Sequence, residues 1–215
     1  MTPTVLVTAF EPFGGDTVNS AWEAARLLAE FPPAGLHVRV TELSCVFGTA
    51  IEELHKAVAA AEPDLVLCLG EAGGRQDLTV ERVAINVDDA RIPDNAGRQP
   101  IDEPIVPGGP AAYFSSVPVK ACVAAAREAG VPASVSQTAG TFVCNHVSYG
   151  LAHLIATERP HMRGGFVHVP LTPAQAVRRA HPSLSARDAA TGLSAIITAA
   201  LGTDTDLRVT GGATH

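Results

Sequence analysis

At 215 residues the chain has the upper length of a single domain, enough to bury one sizeable core. A composition 47% hydrophobic and 17% charged excludes a disordered or fibrous protein, and with aromatics at 5% the core must rest on Ala, Val, Leu and Ile. The 15 Lys and Arg against 22 Asp and Glu give a formal charge of −7 with no basic run, which argues against a nucleic-acid or anionic-membrane surface.

The N-terminus MTPTVLVTAFEPFGG lacks a basic leader, and Glu11 and Gly14 interrupt its apolar stretch, so VLVTAF (5–10) reads as a buried first strand and not a signal peptide. Asn19 or Ser20 can N-cap a helix through Leu28, with Trp22, Ala25 and Leu28 at helical spacing. LHVRVTELSC (36–45) reads as a strand and TAIEELHKAVAAAE (49–62) as an amphipathic helix ended by Pro63. DLVLCLG (64–70) is a buried strand running into the turn EAGGR, and LTVERVAINV (78–87) is extended. The Pro-, Gly- and Asp-rich segment 88–118 is too long for a simple connection and reads as a functional loop. There follow a helix at 119–129, a short strand ASVSQ (133–137), the loop TAGTFV, a helix from about Asn145 to Glu158, the strand GGFVHVP (164–170), a helix at roughly 185–201 and a loosely held tail. No stretch approaches the roughly 18 continuous apolar residues of a membrane span.

Alternating strands and helices with continuous apolar strands define an α/β fold, a mostly parallel twisted sheet with helices on both faces, in one domain over 1–215. Sites in such folds lie at the carboxyl ends of the strands. Here those ends lead into EPFGG, EAGGR, TAGTFV-Cys144 and the residues after FVHV. The four cysteines, at 45, 68, 122 and 144, lack zinc-ligand spacing, and without an export signal the expectation is four free thiols in a reducing cytoplasm.

Cys45, Cys68 and Cys122 sit inside apolar patterns and read as small core residues. Cys144 differs because it stands at a loop-to-helix junction, where free N–H groups and the helix dipole lower a thiol's pKa and bind an oxyanion. Among eight histidines, His37, His55, His153 and His161 read as surface groups, His181 and His215 lie in loop and tail, and His146 on the Cys144 helix points elsewhere. His168, between Val167 and Val169 near a buried strand's end, is either a hydrogen-bonded core residue or a base able to reach the preceding helix's start. Glu81 is either a surface carboxylate paired with Arg82 or the group that orients the imidazole. The glycine loops lack GxGxxG and GxxxxGK[ST] spacing and read as tight turns. Phe10 and Phe13 either cap the core or sandwich a flat apolar ring.

Together VLVTAFEPFGG, GEAGGR, ERVAIN, DARIPDNAGRQP, GPAAYF, AGTFVCN and GFVHVP resemble pyroglutamyl peptidase type I, in that family's order and over nearly the whole chain. The resemblance implies a three-layer α/β cysteine peptidase, metal-independent and without cofactor, acting through a thioacyl-enzyme on peptides with N-terminal pyroglutamate, and typically a cytosolic tetramer. It makes Cys144 the nucleophile, His168 the general base and Glu81 the orienting acid. Arg91 looks like the arginine near the developing oxyanion, and Phe10, Phe13, Asn19, Phe142 and Val143 fall where the family builds its pyrrolidone pocket. Three departures stand out: Ala9 for the usual glycine, Ser20-Ala21 for the usual Pro-Ser, and Glu71 beside the pocket for the usual glutamine. A carboxylate there accepts the lactam N–H but cannot donate, and its charge disfavours a nearby thiolate. The rival readings are a non-catalytic binder of pyroglutamyl peptides on the same scaffold and a phosphate-binding phosphorylase or nucleotide enzyme.

Overall fold

The computed structural model describes residues 2–177 and 179–212. Its elements in chain order are β1 (Thr4–Phe10), α1 (Ser20–Glu30), β2 (His37–Leu43), α2 (Thr49–Ala61), β3 (Leu65–Glu71), β4 (Leu78–Glu81), β5 (Val83–Ile85), β6 (Ala112–Phe114), α3 (Val119–Glu128), β7 (Ala133–Ser136), α4 (Val143–Thr157), β8 (Arg163–Val169), α5 (Pro173–Ala176) and α6 (Ala186–Gly202). Six strands form one sheet in the order β2-β1-β3-β8-β4-β7, and β5 pairs with β6 beside it. Strands β2, β1, β3 and β8 are mutually parallel. β4 runs against β8, and β7 runs with β4.

Strand alternation builds two separate cores. Val5, Val7, Leu65, Leu67, Leu69, Val167 and Val169 face α1, α3 and α6, while Leu6, Phe10, Val66, Cys68 and Phe166 face α2 and α4. β3 is buried along its whole length, which is why its sequence is an unbroken apolar run. β2, at the edge, alternates between exposed and half-buried. No described helix is long and apolar enough to cross a membrane.

Four local expectations are corrected. The extended run 78–87 breaks at Arg82: β4 stays in the sheet, while β5 leaves it to pair with β6. The helix expected from Asn145 starts at Val143, so Cys144 lies inside the first turn. Asn145 does not cap it, because its amide accepts from Ile85 N–H at 3.0 Å and donates to the Ile85 and Val87 carbonyls at 2.9 and 3.0 Å. The tail is tied down as far as it is described. Asp206 accepts from Ala121 N–H at 2.9 Å at the uncapped start of α3, and Gly211 O accepts from Arg82 and Gln137. His215 lies outside the described residues. Finally, segment 88–118, read as loop throughout, contains β6 and is held to the fold: Asp88 pairs with Glu103, Asn86 clasps Val106 in both directions and buried Asp94 accepts from Phe47 N–H at 2.9 Å.

Candidate active site

His168 and Glu81 meet inside the sheet. His168 Nδ1 lies 2.7 Å from Glu81 Oε1, with the two residues only 4% and 1% exposed. Because β4 is antiparallel to β8, Thr79 sits opposite His168 and Glu81 falls two residues deeper on the same face. The carboxylate accepts the hydrogen bond from Nδ1–H, which leaves Nε2 as the basic nitrogen, without a hydrogen-bond partner among the described residues. Glu81 does not pair with Arg82, whose guanidinium turns to Gly211. Its cation is Arg75, at 2.7 Å.

The thiol is placed by a glycine. Gly70 is the in-register partner of His168 across the β3–β8 ladder. A Cβ built on Gly70 would stand 2.8 Å from Cys144 Sγ, so the sulfur occupies the space where the cross-strand neighbour's side chain would be. Side chains of paired residues on adjacent strands lie side by side about 5 Å apart. Sulfur and imidazole are therefore neighbours on the α4 face, although no hydrogen bond joins them among the described residues. Hydrogen bonds between such groups are often long without substrate and tighten around it. The N–H groups of Val143, Cys144 and Asn145 have no acceptor among the described residues and lie in the first turn of the helix that carries the sulfur.

Charge and burial act in opposite senses here. Burial raises the Cys144 thiol above its ordinary value, Cys45 and Glu81 add to that rise, Arg75 opposes it, and Glu71 adds a smaller rise. The helix start was expected to lower the thiol; the packed surroundings outweigh it. Burial lowers His168, against the opposing pull of Glu81. Cys45, Cys68 and Cys122 are buried core thiols pushed up to about 12, chiefly by burial.

The aromatic residues form a wall beside the thiol. The rings of Phe13 and Phe142 lie 6.1 Å apart at 41°, and Phe47 meets Phe142 edge-on at 5.3 Å. Phe13, Phe142 and Cys144 all pack on the cluster containing buried Phe10, which is therefore the floor and not an open jaw. Phe47 was not picked out from the sequence, where FGT looks like an ordinary turn. Val143 is fully buried in the core cluster, so its side chain does not line an open pocket. Asn19 caps α1, accepting from Ala21 and Trp22 N–H at 3.0 and 3.3 Å and donating to Glu11 O at 3.3 Å, with one amide hydrogen to spare.

Glu71 follows Gly70 and so points to the other face of the sheet. Its Oε2 accepts from Ser20 N–H at 2.6 Å and Gln175 Nε2 at 2.8 Å, which ties the α1 start to α5. α5 was missed, although Thr172-Pro-Ala-Gln175 is a capping box, present here in both directions. Arg91 is exposed and makes no hydrogen bond or ion pair among the described residues, so the structure does not bring it to the sulfur. Its loop is anchored nearby, where Asp89 exchanges hydrogen bonds with Thr141. His146, expected to point idly away, is buried between Asp88 Oδ2 at 2.8 Å and Gly48 N–H at 2.9 Å, fixing the start of α4. His153, expected on the surface, is half-buried against the Tyr113 hydroxyl at 2.9 Å.

A half-buried thiol at a helix start, beside a histidine held by a buried carboxylate, on a three-layer α/β scaffold, defines a cysteine peptidase class of enzyme. A family model described as pyroglutamyl peptidase matches residues 3–203. The pyrrolidone-carboxylate peptidase of Streptomyces coelicolor is 65% identical over 213 residues, spanning 98% of this chain and 99% of that protein. The crystal structure of pyroglutamyl peptidase I from Bacillus amyloliquefaciens superposes with a TM-score of 0.94 at 44% identity, covering 98% of this chain and 100% of that one. Pyrrolidone carboxyl peptidase from Thermococcus litoralis gives 0.92 at 34% identity, covering 97% and 99%. The chain belongs to the pyroglutamyl peptidase family, the cysteine peptidases that remove an N-terminal pyroglutamyl residue.

Proposed function

We propose that Cys144 is the nucleophile, His168 the general acid and base and Glu81 its orienting carboxylate in removing pyroglutamate from peptide N-termini. The observation that carries this reading is the position of Cys144 Sγ over the Gly70–His168 rung, with His168 Nδ1 already committed to Glu81. As sulfur attacks the pyroglutamyl carbonyl carbon, Nε2 of His168 takes the thiol proton. The free N–H groups of the first α4 turn receive the oxyanion. The C–N bond then breaks, the imidazolium protonates the departing amine, and water activated by the same imidazole hydrolyses the thioester to free pyroglutamate. Residues 1–215 are read as one catalytic domain, and the family resemblance supports a cytoplasmic homotetramer.

The lactam ring fits against Phe13, Phe142 and Phe47 over the Phe10 floor, with its amide edge toward the spare amide hydrogen of Asn19. An open-chain glutamyl residue would have to desolvate an ammonium and a carboxylate there, which costs several kcal/mol. Comparing kcat/KM for pyroglutamyl- and glutamyl-anilides tests this, with a preference for the lactam of at least about 10³-fold expected. Equal turnover would rule out the lactam pocket.

Burial favours the uncharged form of both partners, so the free enzyme is expected to rest as thiol and neutral imidazole, not as an ion pair. The sign for each group follows. The thiol is raised, so thiolate accumulates only on the alkaline side; the imidazole is lowered, so the acid limb of kcat/KM falls below the ordinary histidine range. Absorbance at the thiolate band, wild type minus Cys144→Ser, is expected to show no thiolate at neutral pH. Glu71→Gln removes one anion opposing the thiolate and shifts iodoacetamide alkylation of Cys144 to lower pH. A neutral-pH thiolate signal would contradict the neutral pair.

A further inference from the structure

Glu81 carries two partners on one atom. Its Oε1 accepts from His168 Nδ1 and from Arg75 Nη1, each at 2.7 Å, while Oε2 is buried with no partner among the described residues. Arg75 arrives from the turn after β3, where Gly74 takes a φ of +93° that side-chain-bearing residues avoid and Arg75 N–H closes on Ala72 O at 3.3 Å. The guanidinium also bonds Thr79 Oγ1 on β4, and Nη2 donates to Thr138 O at 3.0 Å in the loop that leads to α4. One rigid cation thus spans the strand holding Glu81 and the segment delivering Cys144.

We propose that Arg75 is a positioning residue that sets the proton affinity of His168 by sharing the Glu81 oxygen that orients it. This rests on the assignment of Cys144, His168 and Glu81 above. A buried carboxylate facing the imidazole alone would raise its proton affinity, opposing the lowering by burial and making the proton harder to return. A guanidinium, which stays charged at all working pH values, supplies the counter-charge. Glu81 then remains an ionised acceptor for Nδ1–H without trapping the proton that Nε2 must receive and return. The groups facing His168 are Glu81 from β4, Arg75 from the turn after β3 and Cys144 from α4. Cys45 and, from across the sheet, Glu71 act on the thiol, and Phe166, on His168's own strand, is uncharged. Arg75 lowers the pKa of both His168 and Cys144, so its removal moves both upward.

The test is the pH profile of kcat/KM on a pyroglutamyl anilide for wild type, Arg75→Met and Arg75→Lys. Arg75→Met is expected to move the acid limb up by about one unit. Its kcat should fall about 10- to 100-fold, in the range seen when an outer partner of a functional group is lost. Arg75→Lys keeps the charge without the fork, so it is expected to return the limb to the wild-type position while kcat stays reduced. An acid limb that stays in place in Arg75→Met, at whatever rate, overturns the proposal, because a purely structural arginine would lower the amplitude without shifting the pH dependence. Should Arg75→Met not fold, Arg75→Gln, neutral but able to bond Glu81 and Thr138, gives the same reading: an upward limb supports the proposal and an unmoved one overturns it. Cys144→Ser separates the two levels. Retained activity there defeats the underlying assignment, whereas an unmoved limb in the Arg75 variants defeats only the role of Arg75.

Discussion

Cys144→Ser is expected to lower kcat on a pyroglutamyl anilide by at least about 10³-fold, equivalent to roughly 4 kcal/mol of transition-state stabilisation. The serine hydroxyl fits the volume left by the thiol, so the fold is not the reason. Sγ packs on the cluster of Phe10, Phe47 and Phe166, and a hydroxyl there costs about 1 kcal/mol of stability where its hydrogen bond is incomplete. The larger loss is chemical. A thiol gives up its proton to a neutral imidazole far more readily than an alcohol does, and this imidazole has been made a weaker base by burial. KM should change little, because the aromatic wall and Asn19 remain. Residual rate above the uncatalysed reaction would come from the α4 N–H groups and binding alone. A serine variant within tenfold of wild type would instead favour a site elsewhere. Wild type binding pyroglutamyl peptides without turnover would favour the non-catalytic reading.

The class of fold was legible because the central strands are buried on both faces and so spell VLVTAF, DLVLCLG and GFVHV without alternation. Strand direction was not, since a side-chain pattern of period two is the same read either way. Nothing in LTVE says that β4 runs against β8, yet that reversal sets Glu81 two residues below His168. The same limitation explains why Arg82 stood as one of two candidate partners for Glu81. Arg82 is adjacent in sequence, but neighbouring residues on a strand point to opposite faces, and the true cation, Arg75, comes back over the strand through a glycine turn. Cys144 stood out by its place at a loop-to-helix junction, whereas His168 and Glu81 each kept two readings on context alone and took their roles from the resemblance. Phe47 and Gln175 were not singled out, because their roles exist only in three dimensions: Phe47 joins the wall by an edge contact with Phe142, and Gln175 reaches Glu71 across 104 residues of chain.

Gly70→Ala carries the second large effect, and it tests the placement of the sulfur without touching any reacting group. The backbone at Gly70 is ordinary strand, so an alanine brings no conformational strain and the added methyl acts by volume alone. That methyl would stand 2.8 Å from Cys144 Sγ and 2.9 Å from Phe166 Cζ, well inside the 3.5 to 4.0 Å of a comfortable contact. Relief is possible in two directions. Either the sulfur retreats along the α4 start, or the Phe166 ring swings away and, since its centroid lies 4.9 Å from that of His168, pushes the imidazole. Both separate the pair that must exchange a proton. A displacement approaching 1 Å at a reacting centre costs about 10²-fold in rate. Overpacking of this kind destabilises by about 1 to 3 kcal/mol. The fall should appear in kcat and in the alkylation rate of Cys144, with KM close to wild type and a lowered Tm. An alanine variant whose kcat stays within about threefold of wild type would mean that the sulfur does not work from the Gly70–His168 rung, and the thiol–imidazole geometry on which the mechanism depends would have to be abandoned.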